Sequence, residues 1–402
     1  MDKSLIQEKT KLLYVMTYGV SGAIWQSSGT LKRETMPLKY LCENLKFDLT
    51  ILTFGNPKEE VQIFNRVSKN IEVVCCPIEA SKRFSILNFL KSCHAAYRLG
   101  KKRDFDSILT NQLNGGWIHL LLKSAGRRIT PKLILRSGFD PYFHAVTKGN
   151  KLFQLFFYFN NLFAFKSADS VVFTTEFLKK FAFEQYAFLG SKPAYVLRNW
   201  IDTSSFYSSD DNVDRSNDLI VVARFVAEKR LDRAIRFAEL TGLSLTIVGD
   251  GPEKQKIFER SQNSTANVNF KGRVKAQDLG KLLRSHKFYL SFSEVEGSPK
   301  SLIEAIACGC RCVISDNHEL KEEFNSCGSV IWLPSDQTLE QQASWWIDLV
   351  TENRLKSIDK AAVSEFIERY SPITYAEKIA DIICRSNEGS NESFCDPDGQ
   401  SR

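Results

Sequence analysis

At 402 residues the chain exceeds what a single hydrophobic core usually serves, so two domains are the first expectation. A composition 43% hydrophobic and 25% charged excludes a largely disordered chain. No apolar run reaches the ~20 residues that a bilayer-spanning helix needs. The formal charge of +7 sums two unlike halves: residues 1–205 hold 29 Lys+Arg against 16 Asp+Glu, a net of +13, and the remainder carries −6. A basic first half suits an anionic partner such as a phospholipid surface, a lipid diphosphate or nucleic acid, or is a solvated lysine-rich surface.

The N-terminus is charged and then apolar for a few residues, which reads as a strand rather than an export signal. From there short apolar runs alternate with amphipathic stretches of helix length, and this predicts α/β architecture with parallel sheets wrapped by helices. Strands are expected at 11–16, 48–53, 71–75, 107–110, 132–136 and 170–174 in the first half. In the second they fall at 195–197, 219–223, 244–248, 268–270, 288–291, 311–314 and 329–332. Residues 152–165, LFQLFFYFNNLFAF, with Lys148, Lys151 and Lys166 at their edges, are compatible with an interfacial membrane helix. A helix packed against the first sheet is the preferred expectation, because Asn160 and Asn161 interrupt the apolar face. The Ser-, Asp- and Asn-rich segment 198–218 reads as the interdomain connection, and residues 386–402 as a disordered tail.

Ten cysteines without regular spacing fit a reducing cytosol, where they act as small buried hydrophobes. The run Cys308, Cys310, Cys312 lacks the C-x2-C spacing of zinc sites, and no histidine lies near. Asp104-Phe105-Asp106 has the D-x-D form of some metal sites but precedes a strand, where turn chemistry suffices, and Asp396-Pro397-Asp398 lies in the tail. No metal is implied.

Glu296 and Glu304 bracket a Gly297-Ser298-Pro299-Lys300 turn before an apolar helix that begins near Ser301. Ionised carboxylates only accept hydrogen bonds, so a pair fixed at a loop and a helix start suits a polyhydroxylated ligand such as a sugar nucleotide. Paired carboxylates also serve glycoside hydrolases, but nothing here counts out eight β-α units in one ring. Upstream, Arg224 and Lys229 follow a strand, a place where cations suit a diphosphate, and residues 249–252 form a glycine turn after the next strand. Each is an ordinary surface or turn feature when taken alone.

Taken in order, RNWID (198–202), VARFVAEKRLDRAI, LTIVGDGPEK, VNFKGRV and SFSEVEGSPKSLIEAIACGCRCVISD resemble the nucleotide-sugar half of retaining GT-B glycosyltransferases of the family 4 type. The resemblance covers residues 195–316 and implies two Rossmann-like doubly wound domains facing across a cleft. It implies an acceptor-binding domain at 1–197, the connection at 198–218, a nucleotide-sugar domain at 219–360, and a C-terminal helix at 361–385, broken at Ser371-Pro372, returning to the first domain. By the same resemblance Arg224 and Lys229 neutralise the donor diphosphate, with Glu296 against the donor sugar and Glu304 on the ribose hydroxyls. Arg273 and Val274 edge the base, while Gly251, Gly297, Ser298, Pro299, Lys300 and Ser301 complete the donor site.

The implied reaction moves a sugar from a nucleoside diphosphate to a hydroxyl of a glycan or lipid-linked acceptor, without metal or a further cofactor. It would serve cell-surface polysaccharide, lipopolysaccharide or glycolipid synthesis, in the cytoplasm or at the inner face of a membrane. A non-catalytic nucleotide-sugar-binding protein and an epimerase share the architecture; a nucleic-acid-binding module lacks any recognition signature. The first domain departs from the family. Its glycine-rich loop is best matched by residues 27–30, with Gly29, unless Gly19 and Gly22 belong to it. Where relatives carry a histidine, this chain has RSGFD, leaving Arg136 and Asp140 as acceptor-side candidates and His144 as a surface residue.

Overall fold

The computed structural model describes residues 9–76, 86–125, 131–138, 140–147, 149, 151–208, 215–294, 299–316, 318–324, 327–355 and 357–388. Within them all thirteen expected strands form, each within two residues of its expected bounds. The chain divides into two units: residues up to 199 with 372 onward, and residues 200–371.

In the first unit β1 (Thr10–Val15), β2 (Phe47–Thr53), β3 (Ile71–Cys75), β4 (Ser107–Thr110), β5 (Lys132–Ser137), β6 (Ser170–Phe173) and β7 (Ala194–Val196) make one parallel sheet in the order 3-2-1-4-5-6-7. Residues 195–197, grouped by sequence with the second half, are thus the outer strand of the first sheet. The helices are α1 (Gly22–Ser27), α2 (Leu31–Asn44), α3 (Pro57–Val67), α4 (Ile86–Lys102), α5 (Trp117–Ser124), α6 (Pro141–Thr147), α7 (Lys151–Ser167) and α8 (Glu176–Gln185). Central β1 has helices over both faces, so Leu12, Leu13 and Val15 are all sealed from water, which is why it reads as an unbroken apolar run.

The second unit repeats the plan with β8 (Asn217–Val222), β9 (Leu245–Val248), β10 (Val268–Gly272), β11 (His286–Ser291), β12 (Arg311–Ser315) and β13 (Val330–Leu333), ordered 10-9-8-11-12-13. Its helices are α9 (Leu231–Thr241), α10 (Lys254–Gln262), α11 (Ala276–Ser285), α12 (Lys300–Ala307), α13 (His318–Phe324), α14 (Leu339–Thr351) and α15 (Lys360–Glu368). The C-terminal helix expected at 361–385 with a break at Ser371-Pro372 is indeed two: α15 stays with the second unit, and α16 (Pro372–Glu388) packs on α2 of the first. The break falls at Pro372, whose ring cannot continue a helix from Ser371. Helix α16 also runs three residues into the expected tail, where Asn387 accepts from Ser107 Oγ (2.8 Å) and Ser386 meets Ser170 (3.3 Å). The tail's remaining residues, with Asp396 and Asp398, lie outside the described ones.

The linker-like composition of 198–218 conceals a folded start. Trp200, Ile201 and Phe206 are buried in the second unit, and Ile201 N–H donates to Tyr370 O (3.0 Å). The polar residues between them satisfy one another: the Asp202 carboxylate accepts from Ser204 Oγ (2.6 Å) and Ser205 Oγ (2.7 Å). A serine-rich turn can therefore be core rather than tether.

Candidate active site

In an open parallel sheet the ligand crevice lies at the carboxyl ends of the strands where the order reverses. In the second sheet that point falls between β8 and β11. The chain leaves β8 with Phe225 buried, and this anchor turns its neighbour Arg224 outward. The exposed Arg224 side chain makes no hydrogen bond or ion pair to another described residue. A 3-10 turn (Ala227–Lys229) follows, ended by Arg230 in the left-handed conformation (φ 44°), which aims the chain into α9.

Three contacts tie this loop to the one after β11. Lys229 Nζ donates to Ser293 Oγ (3.2 Å), Glu294 N–H donates to Glu228 O (2.9 Å), and Arg230 pairs with the Glu294 carboxylate. That last hydrogen bond holds the Arg230 guanidinium above its ordinary pKa. None of these partners was singled out from sequence. Ser293 and Glu294 carried a weak signal, their place just beyond a strand end.

Two glycines pack the β8 and β9 loops together. A Cβ on Gly249 (φ +139°) would lie 1.9 Å from Ala223 O, and one on Gly251 2.5 Å from Phe225 O. Phe225 N–H donates to Asp250 O (3.0 Å), Glu253 N–H to Phe225 O (3.0 Å), and Gly249 N–H to Gly272 O (2.8 Å), which brings in the end of β10. The glycine turn is thus packed closely against the chain's own backbone. Gly251 gives its amide to the Asp250 carboxylate (3.0 Å), and the same carboxylate faces the exposed Arg273 at 3.8 Å. Val274, next along, is half-buried against the core beneath.

Glu296, Gly297 and Ser298 lie outside the described residues. On the far side of them Pro299 is buried, and its carbonyl accepts from Leu302 N–H (3.0 Å), which starts α12. Lys300 Nζ stands 5.9 Å from the centre of the Trp200 ring, and Ser301 Oγ bonds Tyr289 Oη (2.9 Å), so β11 and the folded start at 200 fix the helix entrance. Glu304 sits one turn in, 7% exposed. The structure therefore gathers Arg224, Lys229, Gly251, Arg273, Val274, Pro299, Lys300, Ser301 and Glu304 onto loops and a helix start at one end of this sheet.

The first sheet reverses between β1 and β4, and there the chain fills its own anion site. The loop leaving β1 contains Gly19 (φ 76°) and leads to α1, whose Gly22 and Ala23 amides both donate to the Glu60 carboxylate (2.7 and 2.9 Å). Thr53 Oγ1 adds a third bond (2.6 Å), and Glu60 is fully buried. Residues 27–30, expected as the glycine-rich loop, are instead the junction of α1 and α2. Gly29 (φ +73°) ends the first helix, and a Cβ there would meet nothing, so it is needed for its backbone angle alone.

Arg136 and Asp140 are both buried. The Arg136 guanidinium donates to Asn111 O (3.2 Å) and to the Asn199 side chain, and lies 5.7 Å from the Tyr375 ring centre. Asp140 caps α6 by accepting from Tyr142 N–H (2.8 Å) and Phe143 N–H (3.2 Å), and takes a third bond from Asn161 Nδ2 (2.7 Å); burial still lifts its pKa. Both charges serve the first unit's interior. His144 lies on α6, and its side chain is outside the described set.

The cysteine run is also interior. Arg215 donates to Cys308 O (2.7 Å) and His286 O (2.7 Å), and burial pushes the Cys308 and Cys310 thiols up to about 12 and about 11. The Asp106 carboxylate accepts from Lys11 N–H (2.8 Å), which ties the start of β4 to the start of β1 rather than closing a local turn. Among the described residues no three of His, Cys, Asp or Glu converge as metal ligands.

Two doubly wound sheets in tandem are shared with solved structures. Sucrose-phosphate synthase from Thermosynechococcus elongatus superposes with a TM-score of 0.70 at 13% identity, over 95% of this chain and 100% of that one. The chain has the GT-B glycosyltransferase fold. The lipopolysaccharide outer core galactosyltransferase WaaB shares this GT-B fold with a TM-score of 0.68 at 16% identity, over 93% and 99% of the two chains. Anabaena HepE, solved in complex with UDP and glucose, gives 0.66 at 14%, again over 93% and 99%. Residues 207–362 match the family model of glycosyl transferases group 1, so the matched stretch of the GT-B chain is the second sheet and its loops. No curated protein matches by sequence.

Proposed function

We propose that the protein is a retaining, metal-independent glycosyltransferase of the hexosyltransferase type. It moves a sugar from a nucleoside diphosphate to a hydroxyl of a glycan or lipid-linked acceptor, in synthesis of cell-surface polysaccharide, lipopolysaccharide or glycolipid at the cytoplasmic side of a membrane. The observation that carries this reading is Arg224: an exposed guanidinium without a described partner, held outward by buried Phe225 at the switch point of the matched domain. A guanidinium so placed suits the two negative charges that build up as the diphosphate leaves. Lys229, steadied by Ser293, adds a second cation and takes the electrostatic part that a metal plays elsewhere.

In this reading Glu296 lies against the donor sugar and Glu304 accepts from the ribose hydroxyls. Arg273, Val274 and Gly251 border the base, and residues 297–301 present the α12 amides to the sugar or phosphate. UDP bound to the Anabaena relative supports a uridine donor as the first to try. The first sheet, with its amide cradle occupied by Glu60, is left to the acceptor.

The test is nucleoside diphosphate release from a panel of nucleotide sugars, with candidate acceptors. Wild type turns over at least one donor. Glu296→Ala abolishes transfer while nucleotide binding stays within about threefold, and Arg224→Ala lowers kcat/KM by about 10²–10³. Undiminished turnover in Glu296→Ala would overturn the assignment. Donor binding without transfer, whatever the acceptor, would point to a binding protein, and conversion of the sugar on the nucleotide to an epimerase.

A further inference from the structure

Helix α7 is built inside out. Its polar residue Asn161 is fully buried against Asp140, while Leu152, Phe153, Leu155, Phe156, Phe159 and Phe163 stand 54–78% exposed. Four of them, 152, 156, 159 and 163, follow an i, i+4, i+7, i+11 spacing and so form one stripe, on a helix about 25 Å long. Helix α5 packs between α4 and α7 on the same side of the first sheet, and α4 opens with Leu87 and Leu90, 61% and 57% exposed. Helix α4 leads into the start of β4 and α7 into the start of β6, so the first turns of both lie toward the carboxyl end of this sheet, where Leu87, Leu90, Leu152 and Phe153 share the rim.

The charge of this side is equally uneven. Helices α4, α5, α6 and α7 contain no Asp or Glu, whereas Lys91, Arg98, Lys101, Lys102, Lys151 and Lys166 are all exposed. At the far end of the stripe a cleft of about 640 Å³ draws Lys132, Lys166 and Lys192 around Phe163, with Asp169 among its lining. Exposed phenylalanines alone fit any apolar partner. Exposed phenylalanine and leucine on helices whose own charged residues are all cationic fit an interface whose apolar layer lies under an anionic one.

We propose that the α4–α7 side of the first unit seats on an anionic phospholipid surface, with the α7 stripe entering the headgroup–acyl boundary and the lysines on lipid phosphates. Among the described residues no helix is long and apolar enough to cross a membrane, so the contact is a surface one. It places a bilayer beside the rim of the sheet assigned to the acceptor. The proposal is separable from sugar transfer, since it needs no donor.

The experiment is flotation of the full chain with vesicles of phosphatidylcholine alone or with 30% phosphatidylglycerol, at about 0.1 and 0.5 M salt. Wild type floats with the anionic vesicles at low salt. Phe156→Ser with Phe159→Ser lowers the partition coefficient at least about tenfold, and Lys151→Glu with Lys166→Glu lowers it while leaving the stripe intact. Donor-driven nucleotide release stays unchanged in both pairs, and because every substituted side chain is exposed, the urea midpoint does too. Three results overturn the proposal: no flotation of wild type; equal flotation with neutral vesicles in high salt; or a wild-type dimer that the phenylalanine pair breaks while lipid binding is absent, which assigns the stripe to a second copy of this chain.

Discussion

Gly249→Ala tests whether the candidate site depends on close packing of two loops. The new Cβ falls 1.9 Å from Ala223 O on a backbone of φ +139°, so both the angle and the contact resist it. Holding an alanine at that angle costs about 1–3 kcal/mol, and relieving the overlap about 1–3 kcal/mol more. A total of about 2–6 kcal/mol is a large share of a typical domain's stability. A protein that still folds does so by moving the β9 loop back roughly 1 Å, because a packed interior offers no slack. That movement strains the Phe225–Asp250 backbone bond (3.0 Å) that holds Arg224 outward. A displacement of this size near reacting groups costs about 100-fold in rate. Urea denaturation followed by tryptophan fluorescence and nucleotide release at saturating donor measure the two effects on one preparation. Gly272→Ala is the control, since a Cβ there meets nothing within 4 Å at φ +62° and costs only the backbone term of about 1–2 kcal/mol. A Gly249→Ala protein with wild-type midpoint and wild-type kcat would show that the site does not depend on this packing.

Glu60→Gln should lower stability by about 2–3 kcal/mol, because charge-assisted bonds to buried carboxylates are worth about 1.5–3 kcal/mol each and the amide retains only part of them; an unchanged urea midpoint would show that the buried carboxylate is not needed. Glu239 supplies an acid-range prediction. Hydrogen bonds from Arg260 (2.9 and 3.0 Å), with Arg236 behind them, bring its carboxyl down to about 2. A depressed folded-state pKa gives stability present above the unfolded value near 4.5 and lost as pH falls toward 2. Wild type should therefore lose about 1–2 kcal/mol more across that window than Glu239→Gln, the arginines being partly exposed. Parallel pH dependences in the two proteins would exclude the pair as the cause.

The strand rhythm was legible because central parallel strands are covered on both faces: Leu12 to Val15 and Leu219 to Val221 are buried as continuous runs. The donor side was legible for a related reason, since strand ends carry the chemistry and Arg224, Lys229 and Arg273 all follow strands. What sequence could not reveal depends on distant partners. Asn161 was read as an interruption of the apolar face, yet it is buried with Ala164 and Phe165, because Asp140 beneath it needs a donor and this turns the other phenylalanines outward. Nothing in the sequence marks Glu60 among the acidic residues of a helix's first turn, and its role appears only when Gly22 and Ala23 arrive from 38 and 37 residues away. In the polar start of the 198–218 segment, Asp202, Ser204 and Ser205 bond to one another, a pairing that composition does not reveal. Arg136 stood out as a charged substitute in a family motif, but its charge is spent on Asn111 and Asn199.

On the proposed reading the loops after β8 and β11 hold a nucleoside diphosphate. Isothermal titration of UDP, GDP and ADP into wild type, Arg224→Ala and Lys229→Ala tests it without knowledge of the sugar or the acceptor. Wild type should bind one of the three, with affinity reduced at least about tenfold in each variant, a loss of ~1.4 kcal/mol or more. Failure of all three nucleotides to bind wild type, or equal affinity in wild type and Arg224→Ala, would contradict it.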